Sequence, residues 1–296
     1  MRVVYSPRYD LDLGTHVFPT RKYRMIASEL ERAGLVPRGF VEPVIATWDD
    51  LALVHTQSYL ADLRLGRLPP EAVARIEIPC TPQLVDGFRL MTGGTLTAMA
   101  LALDGEDRTA VHIGGGFHHA FAGHGEGFCV FNDVAVGIHK AFVTRLAASA
   151  AALDLDVHQG NGTASIFARD PRVFTASMHE ADNYPALKPP SSLDVGLPRG
   201  TGDDDYLRQL DVVLNRLLRQ LPDVVVYLAG ADPFAGDQLG RLGLSLEGLR
   251  YRDRAVFKAL RAAGVPVVVV LAGGYATRVE DTVAIHVATI EEAAVA

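Results

Sequence analysis

Two carboxylates and an imidazole alternate with apolar residues in one short segment of the chain. Asp154, Asp156 and His158 are separated by Leu155 and Val157, and the period of two in a β-strand would direct the three polar side chains to one face. Buried carboxylates are costly unless a cation or hydrogen-bond donors meet them. The segment therefore predicts a metal site, although acids that cap a following helix beside a core histidine would give the same pattern.

A third acid follows another apolar run, residues 224–231. This residue, Asp232, is either the N-cap of the next turn or a further ligand. With Asp156 and His158 it forms a set of one histidine and two carboxylates, which leaves coordination open for water and a substrate oxygen. The set is typical of a catalytic site for one divalent ion. In the cell, Fe²⁺ could occupy such a site of histidine and carboxylates.

Two adjacent histidines and one tyrosine could move protons or donate hydrogen bonds. His118 and His119 follow three glycines, residues 114–116, which allow close approach of the backbone to a ligand. The glycines match neither a phosphate loop nor the dinucleotide fingerprint. In a cavity, the two histidines could act as a general base and a charged partner. Tyr275, after two glycines, could donate to an oxyanion, or it could be a half-buried core tyrosine.

These polar residues follow apolar runs that we expect to be strands. Their alternation with amphipathic stretches predicts one α/β domain with a parallel sheet, in which ligands bind beyond the carboxyl ends of the strands. The predicted strands are residues 1–5, 109–113, 151–157, 173–178, 224–228 and 267–271. The predicted helices include residues 93–103, 204–220 and 246–263, the last capped by Ser245. Residues 180–202, with four prolines, predict a long ordered loop.

The composition excludes several classes of function. The 296 residues carry a formal net charge of -7, which argues against nucleic acid as a partner. The apolar runs fall short of the roughly 20 residues that span a bilayer, so no membrane partner is expected. Two cysteines, Cys80 and Cys129, and the lack of a signal-peptide pattern favour the cytoplasm. The oligomeric state is left open.

Five motifs, in order along the chain, resemble those of the histone deacetylase family. They are Gly114-Gly-Gly-Phe-His-His-Ala120, Gly127-Phe-Cys-Val-Phe-Asn-Asp133, Asp154-Leu-Asp-Val-His-Gln-Gly-Asn-Gly162, Gly230-Ala-Asp-Pro-Phe-Ala-Gly-Asp-Gln-Leu-Gly240 and Gly273-Gly-Tyr275. The resemblance extends from His16 almost to the C-terminus and is greatest to the class IV branch and its bacterial relatives. It implies a single catalytic domain over residues 1–296 with an arginase-like α/β fold, in which helices flank a central eight-stranded parallel sheet.

The resemblance also implies roles for individual residues. Asp156, His158 and Asp232 would bind one Zn²⁺. Asp154 would lie next to these ligands without binding the ion itself. His118 would pair with Asp154, and His119, the main general base and acid, would pair with Asn161. Tyr275 would polarise the carbonyl of the scissile amide. A potassium site would be formed by Asp154, Asp156, His158, Ser177 and Met178.

The substrate implied by the resemblance is an acyl-lysine of a protein or peptide. Residues corresponding to the acyl-lysine tunnel are Gly127, Phe128, Tyr184, Leu239 and Gly273. Ile78 and Pro79 stand where many relatives carry an aspartate that grips a peptide, although Glu77 is near enough to replace it. Polyamine-specific relatives have an acid at the position of Leu239. Small acylated amines such as acetylpolyamines are the alternative substrates, and a non-catalytic acyl-lysine binder or a binuclear manganese ureohydrolase is less favoured.

Overall fold

The core of the protein is a parallel sheet. The computed structural model describes residues 1–105 and 107–295, and these contain seven strands that all pair in parallel in the order β1-β2-β7-β6-β3-β4-β5. The strands are β1 (Arg2–Val4), β2 (Thr109–His112), β3 (Ala150–Asp154), β4 (Val173–Glu180), β5 (Leu193–Leu197), β6 (Val225–Leu228) and β7 (Val267–Val270).

Ten α-helices and one short 3₁₀ helix, Pro7–Tyr9, occur in the same described residues. The α-helices are α1 (Arg21–Arg32), α2 (Trp48–Leu51), α3 (Gln57–Leu65), α4 (Pro70–Ile76), α5 (Pro82–Asp104), α6 (Asp133–Val143), α7 (Asn161–Phe167), α8 (Asp203–Leu218), α9 (Leu246–Ala262) and α10 (Val279–Val295). Ser245 caps α9, as predicted, by accepting a hydrogen bond from the Gly248 amide at 2.9 Å. None of the described helices is both long and apolar enough to cross a membrane.

Helices cover both faces of the sheet, so the central strands are buried throughout. In β6, Val225 and Tyr227 contribute to one core, whereas Val226 and Leu228 contribute to the other. This period of two is the geometry of a strand, and burial of both sets explains why the central strands are continuous apolar runs. Helices α1, α8, α9 and α10 pack on the first face, whereas α6 and the C-terminal part of α5 pack on the second.

The sheet of the described residues has seven strands rather than the expected eight. At the edge beyond β1, Val41 makes only an isolated parallel bridge to Val4. Residues 180–202 were predicted as a loop, and this prediction was wrong, because they contain β5. That strand lies at the other edge, alternates half-buried and exposed residues, and includes Asp194 and Gly196. It therefore lacks the apolar run that identifies a buried strand.

The strand predicted over residues 151–157 ends earlier, at Asp154. A strand period therefore does not direct Asp156 and His158 to one face. They lie in a turn, in which the Asp156 amide donates to Asp154 Oδ1 at 3.2 Å and the His158 amide donates to Asp156 Oδ1 at 2.9 Å. The predicted helix 93–103 is the second half of α5. The glycines of α5 weaken the helical pattern in its sequence, so the prediction did not cover the first half of the helix. Gly93 is required because a Cβ there would lie 1.9 Å from the carbonyl oxygen of Val44.

Candidate active site

The ends of four neighbouring strands form a cavity of about 220 Å³ at the carboxyl edge of the sheet. Segments that follow β2, β3, β6 and β7 meet here, because all strands of a parallel sheet end on the same side. The cavity brings together most of the side chains singled out from the sequence. Its lining includes Glu77, His118, His119, Gly127, Phe128, Asp156, His158, Tyr184, Leu239, Gly273 and Tyr275.

Asp156, His158 and Asp232 form the one group of metal-binding side chains found in the described residues, with ligand atoms within 4.8 Å of one another. His158 Nδ1 lies 3.0 Å from Asp156 Oδ1 and 3.4 Å from Asp232 Oδ2. Asp232 Oδ2 is buried and accepts no hydrogen bond from the described residues. Burial and the nearby charge of Asp156 raise the pKa of Asp232 to about 7. A divalent cation would relieve this repulsion, so the donor set fits a metal ion.

Gly273 keeps the space beside these carboxylates open. A Cβ at this position would lie 2.0 Å from Asp232 Oδ2 and 2.5 Å from Asp156 Oδ2. The Gly273 amide also donates to Asp156 Oδ2 at 2.8 Å. The glycine after β7 therefore allows close approach of the backbone and orients one of the candidate ligands.

His118 and His119 are each held through Nδ1, but by different groups. His118 Nδ1 is 2.7 Å from Asp154 Oδ2, and His119 Nδ1 is 2.7 Å from Asn161 Oδ1. Burial opposes a charge on His118, but Asp154 and Asp156 outweigh it and raise the pKa to about 9. Burial and the charge of His118 lower the pKa of His119 well below its usual value. The pair thus combines a cationic and a neutral imidazole.

The glycine-rich segment that carries both histidines is fixed by Asp133, at the start of α6. Asp133 Oδ1 accepts from the Phe117 amide at 2.7 Å, and Oδ2 accepts from the Gly116 amide at 3.1 Å and from the Thr95 hydroxyl. Gly116 has a φ of +83°, a conformation that favours glycine. No role was predicted for Asp133, although an acid between Asn132 and an apolar helical stretch was an available signal.

Asp237 fixes the backbone position of Tyr275. The Tyr275 amide donates to Asp237 Oδ2 at 2.7 Å, and Asp237 Oδ1 accepts from the amides of Leu239 and Gly240. The Tyr275 ring packs edge to face against Phe128. Burial, followed by the charges of Asp156 and Asp232, raises the pKa of Tyr275 well above its usual value. The phenol therefore keeps its proton and can donate it in a hydrogen bond.

Lys22 is a buried cation near the site that sequence reasoning missed. Its side chain is fully buried, and Nζ donates to the carbonyl oxygen of Ala272 at 3.1 Å and lies 5.7 Å from the Tyr275 ring centroid. Burial lowers its pKa to about 8 against the opposing effect of nearby carboxylates. The spacing of apolar residues in α1 could have indicated that Lys22 is buried, because it shares the apolar face of this helix with Ile26 and Leu30.

Two aromatic side chains flank the mouth of the cavity. Phe128 follows Gly127, and the Tyr184 ring meets His119 edge to face at a centroid distance of 4.9 Å. Leu239 also lines the mouth. Many relatives carry a peptide-gripping aspartate near residues 77–79. In this protein Ile78 is buried in the core, whereas Glu77 lines the cavity.

The remaining predicted site residues lie behind the cavity. Asp154 ends β3, and Asn161 begins α7. Asp154 and Ser177 are register partners in β3 and β4, and Met178 follows in the same strand. All four residues are buried. The residues predicted to hold potassium therefore lie close to the candidate metal ligands.

Comparisons with known proteins agree with this arrangement. Residues 16–290 match the model of the histone deacetylase domain. An uncharacterised protein of Picosynechococcus sp. is 42% identical, covering 96% of this chain and 95% of that protein. Histone deacetylase 2 of Arabidopsis thaliana is 34% identical, covering 92% of this chain and 74% of that protein.

A solved structure is similar over nearly the whole chain. The crystal structure of the HDA15 HD domain superposes with a TM-score of 0.80 at 23% identity, covering 98% of this chain and 90% of that one. It shows the fold, and the matched domain model and the Arabidopsis relative show the family. The protein is a metal-dependent hydrolase of the deacetylase type, and its chain belongs to the histone deacetylase family.

Proposed function

We propose that residues 1–296 form one catalytic domain that hydrolyses the amide bond of N-ε-acyl-lysine in proteins or peptides. In this proposal Asp156, His158 and Asp232 hold one Zn²⁺. The observation that carries it is the convergence, in one cavity, of a candidate metal-binding set, two histidines with different Nδ1 partners and a tyrosine phenol. A silent acyl-lysine binder would not need this combination.

The bound ion would act as a Lewis acid that polarises the amide carbonyl and acidifies water. His119 accepts the proton of the attacking water at Nε2, because its Nδ1 is engaged by Asn161. The cationic His118, paired with Asp154, stabilises negative charge that develops beside it. Tyr275 donates a hydrogen bond to the carbonyl oxygen as it becomes an oxyanion. His119 then returns its proton to the departing amine, and a carboxylate is the second product.

The walls of the cavity suit a neutral acyl group on an alkyl chain. Phe128 and Tyr184 present aromatic surfaces, and Leu239 adds an aliphatic one at the mouth. Gly127 and Gly273 leave room beside the walls, since a Cβ at Gly127 would lie 3.0 Å from the Tyr184 ring. These three side chains carry no charge of their own, which suits the alkyl stem of an acyl-lysine.

Small acylated amines, such as acetylpolyamines, are a second candidate class. The observation that favours them is Glu77, whose carboxylate is the acid at the cavity mouth and could attract a second ammonium group. The same carboxylate could instead accept hydrogen bonds from the backbone amides of a peptide. The acid therefore suits both classes, whereas Leu239 favours acyl-lysine.

The experiment that separates these classes is a panel of steady-state assays with the zinc-loaded protein. The panel contains acetyl-, longer fatty acyl- and trifluoroacetyl-lysine peptides together with acetylspermidine. We expect kcat/KM to be larger for at least one acyl-lysine peptide than for the polyamine. A wide margin in favour of acetylspermidine would reverse the assignment, and no turnover of any substrate after reloading with Zn²⁺ or Fe²⁺ would contradict the enzymatic function.

Two further parts of the proposal concern the surroundings of the site. A potassium ion would be held by Asp154, Asp156 and His158 together with Ser177 and Met178, where the buried end of β3 lies beside the interior of β4. A reducing cytoplasm is the proposed compartment. It is supported by the two cysteines, which are both free thiols.

A further inference from the structure

The carboxylate of Glu126 joins two side chains of the site that come from distant parts of the chain. Glu126 Oε1 accepts a hydrogen bond from Asn161 Nδ2 at 2.7 Å and another from the Tyr184 hydroxyl at 3.0 Å. The backbone of Glu126 is itself held by two hydrogen bonds to Cys129. The side chain is 19% exposed, so the carboxylate lies at the border between the site and solvent.

This contact decides which end of the Asn161 amide faces His119. A carboxylate only accepts, so the group that Asn161 presents to Glu126 is its NH₂. The carbonyl oxygen, Oδ1, must then point at His119 Nδ1, which it meets at 2.7 Å. Because Oδ1 also only accepts, His119 Nδ1 carries the hydrogen, and in the neutral ring the lone pair is on Nε2.

We propose that Glu126 is a positioning residue that sets the tautomer of His119 through the amide of Asn161. The inference rests on the proposed function, in which His119 Nε2 accepts a proton from water. Without Glu126, the amide of Asn161 is free to rotate and to present its NH₂ to His119. That orientation favours a lone pair on Nδ1 and a hydrogen on Nε2, and such a ring cannot act as the base.

The same carboxylate holds one wall of the acyl tunnel. The Tyr184 hydroxyl donates to Glu126, and the Tyr184 ring rests edge to face on His119. Tyr184 belongs to the segment between β4 and β5, and 37% of its surface is exposed. Glu126 therefore links the position of a substrate-facing wall to the protonation pattern of the base.

The direct test is an NMR measurement on protein labelled with ¹⁵N in the histidine rings. Two-bond ¹H–¹⁵N correlations distinguish a ring with hydrogen on Nδ1 from one with hydrogen on Nε2, and a His119→Gln variant assigns the signal. We expect the Nδ1–H tautomer in the wild type, loss of its dominance in Glu126→Ala, and its retention in Glu126→Gln, whose Oε1 still accepts from Asn161. An unchanged Nδ1–H tautomer in Glu126→Ala would overturn the proposal.

The kinetic test uses a second background, Asn161→Asp, because a carboxylate at position 161 has no donor end and needs no orientation. In the wild-type background, Glu126→Ala should lower kcat by about tenfold, the effect of one hydrogen bond. In the Asn161→Asp background, Glu126→Ala should not lower kcat. An equal loss in both backgrounds would show that Glu126 acts otherwise.

Tyr184→Phe is the matched control for the other hydrogen bond to Glu126. It removes the contact to the tunnel wall but leaves the contact to Asn161, so it should change KM while the His119 tautomer stays as in the wild type. A tautomer change in this variant would contradict the assignment to Asn161. The NMR result does not depend on turnover, so a failure of the proposed function and a failure of this inference are distinguishable.

Discussion

His118 and His119 adjoin one another in the chain but have different surroundings. A carboxylate faces Nδ1 of the first, and a neutral amide faces Nδ1 of the second. The nearby acids raise the pKa of His118 to about 9, whereas burial lowers that of His119. Two identical side chains can therefore take a charged and a neutral role at the same pH.

Replacement of Tyr275 by Phe removes the phenol but keeps the ring that packs on Phe128. We expect kcat to fall by about 10²–10³-fold, the usual effect of losing an oxyanion donor, with metal content unchanged. Steady-state kinetics and metal analysis would measure both. Tyr251→Phe, at an exposed position on α9, is the control and should keep full activity. Undiminished turnover in Tyr275→Phe would remove the tyrosine from the mechanism.

Replacement of Asp156 by Ala removes one of the three candidate ligands. We expect the dialysed variant to lose its bound zinc and to show no rise in Tm when zinc is added, because two ligands hold the ion too weakly. Metal analysis and thermal unfolding would measure these effects. Asp204→Ala, on the exposed face of α8, should behave like the wild type. Retention of one zinc per chain by Asp156→Ala would show that the ligand set is different.

At the scale of elements, the start of α6 anchors the segment that follows β2. Asp133→Asn replaces one carboxylate oxygen with an NH₂ that faces hydrogen-bond donors from Thr95, Gly116 and Phe117. We expect the free energy of unfolding to fall by about 1–3 kcal/mol, the cost of an unpaired buried polar group. We also expect kcat to fall, because the segment carries both histidines. Urea unfolding and kinetics would measure the two effects.

Asp49→Asn is the control for this element. Asp49 also lies in the first turn of a helix, α2, but its side chain is exposed. The change should therefore lower the free energy of unfolding only by a few tenths of a kcal/mol, as a loss of charge at a helix start does. Equal effects of the two substitutions would mean that the contacts of Asp133 do not hold the segment.

At the scale of the whole molecule, two buried neutral histidines predict how stability depends on pH. Burial lowers the pKa of His112 to about 3 and that of His55 to about 4. Unfolded histidine has a pKa of about 6.5, so below this pH the unfolded chain binds protons that the folded chain does not. The stabilisation from these residues is therefore complete above about pH 6.5 and is lost as the pH falls through the range below it.

His112→Gln tests this dependence, since Gln can still meet the hydroxyls of Tyr9 and Thr95 that contact His112. In metal-free protein, the loss of unfolding free energy between about pH 6 and 4 should become shallower by up to about 1.4 kcal/mol per pH unit. Chemical denaturation at a series of pH values would measure the slope. Identical slopes in variant and wild type would mean that His112 is protonated in the folded protein.

The sequence by itself determined the class of fold and the candidate side chains of the site. Continuous apolar runs such as β7 identified buried parallel strands, and parallel strands all end at one edge. The residues after these runs were therefore expected to converge, and His119, Asp156, Asp232 and Tyr275 do lie around one cavity. Motif order added the family, which the comparisons confirm.

Only the tertiary structure decided how these groups are held. The period of two suggested that Asp154, Asp156 and His158 share a strand face, but the strand ends at Asp154 and a turn places the other two. Glu126 reaches Asn161 and Tyr184 across 35 and 58 residues, respectively, so no local pattern could reveal these contacts. Periodicity reports which face of an element is buried. The partner of a polar atom depends on which distant segments the folded chain packs beside it.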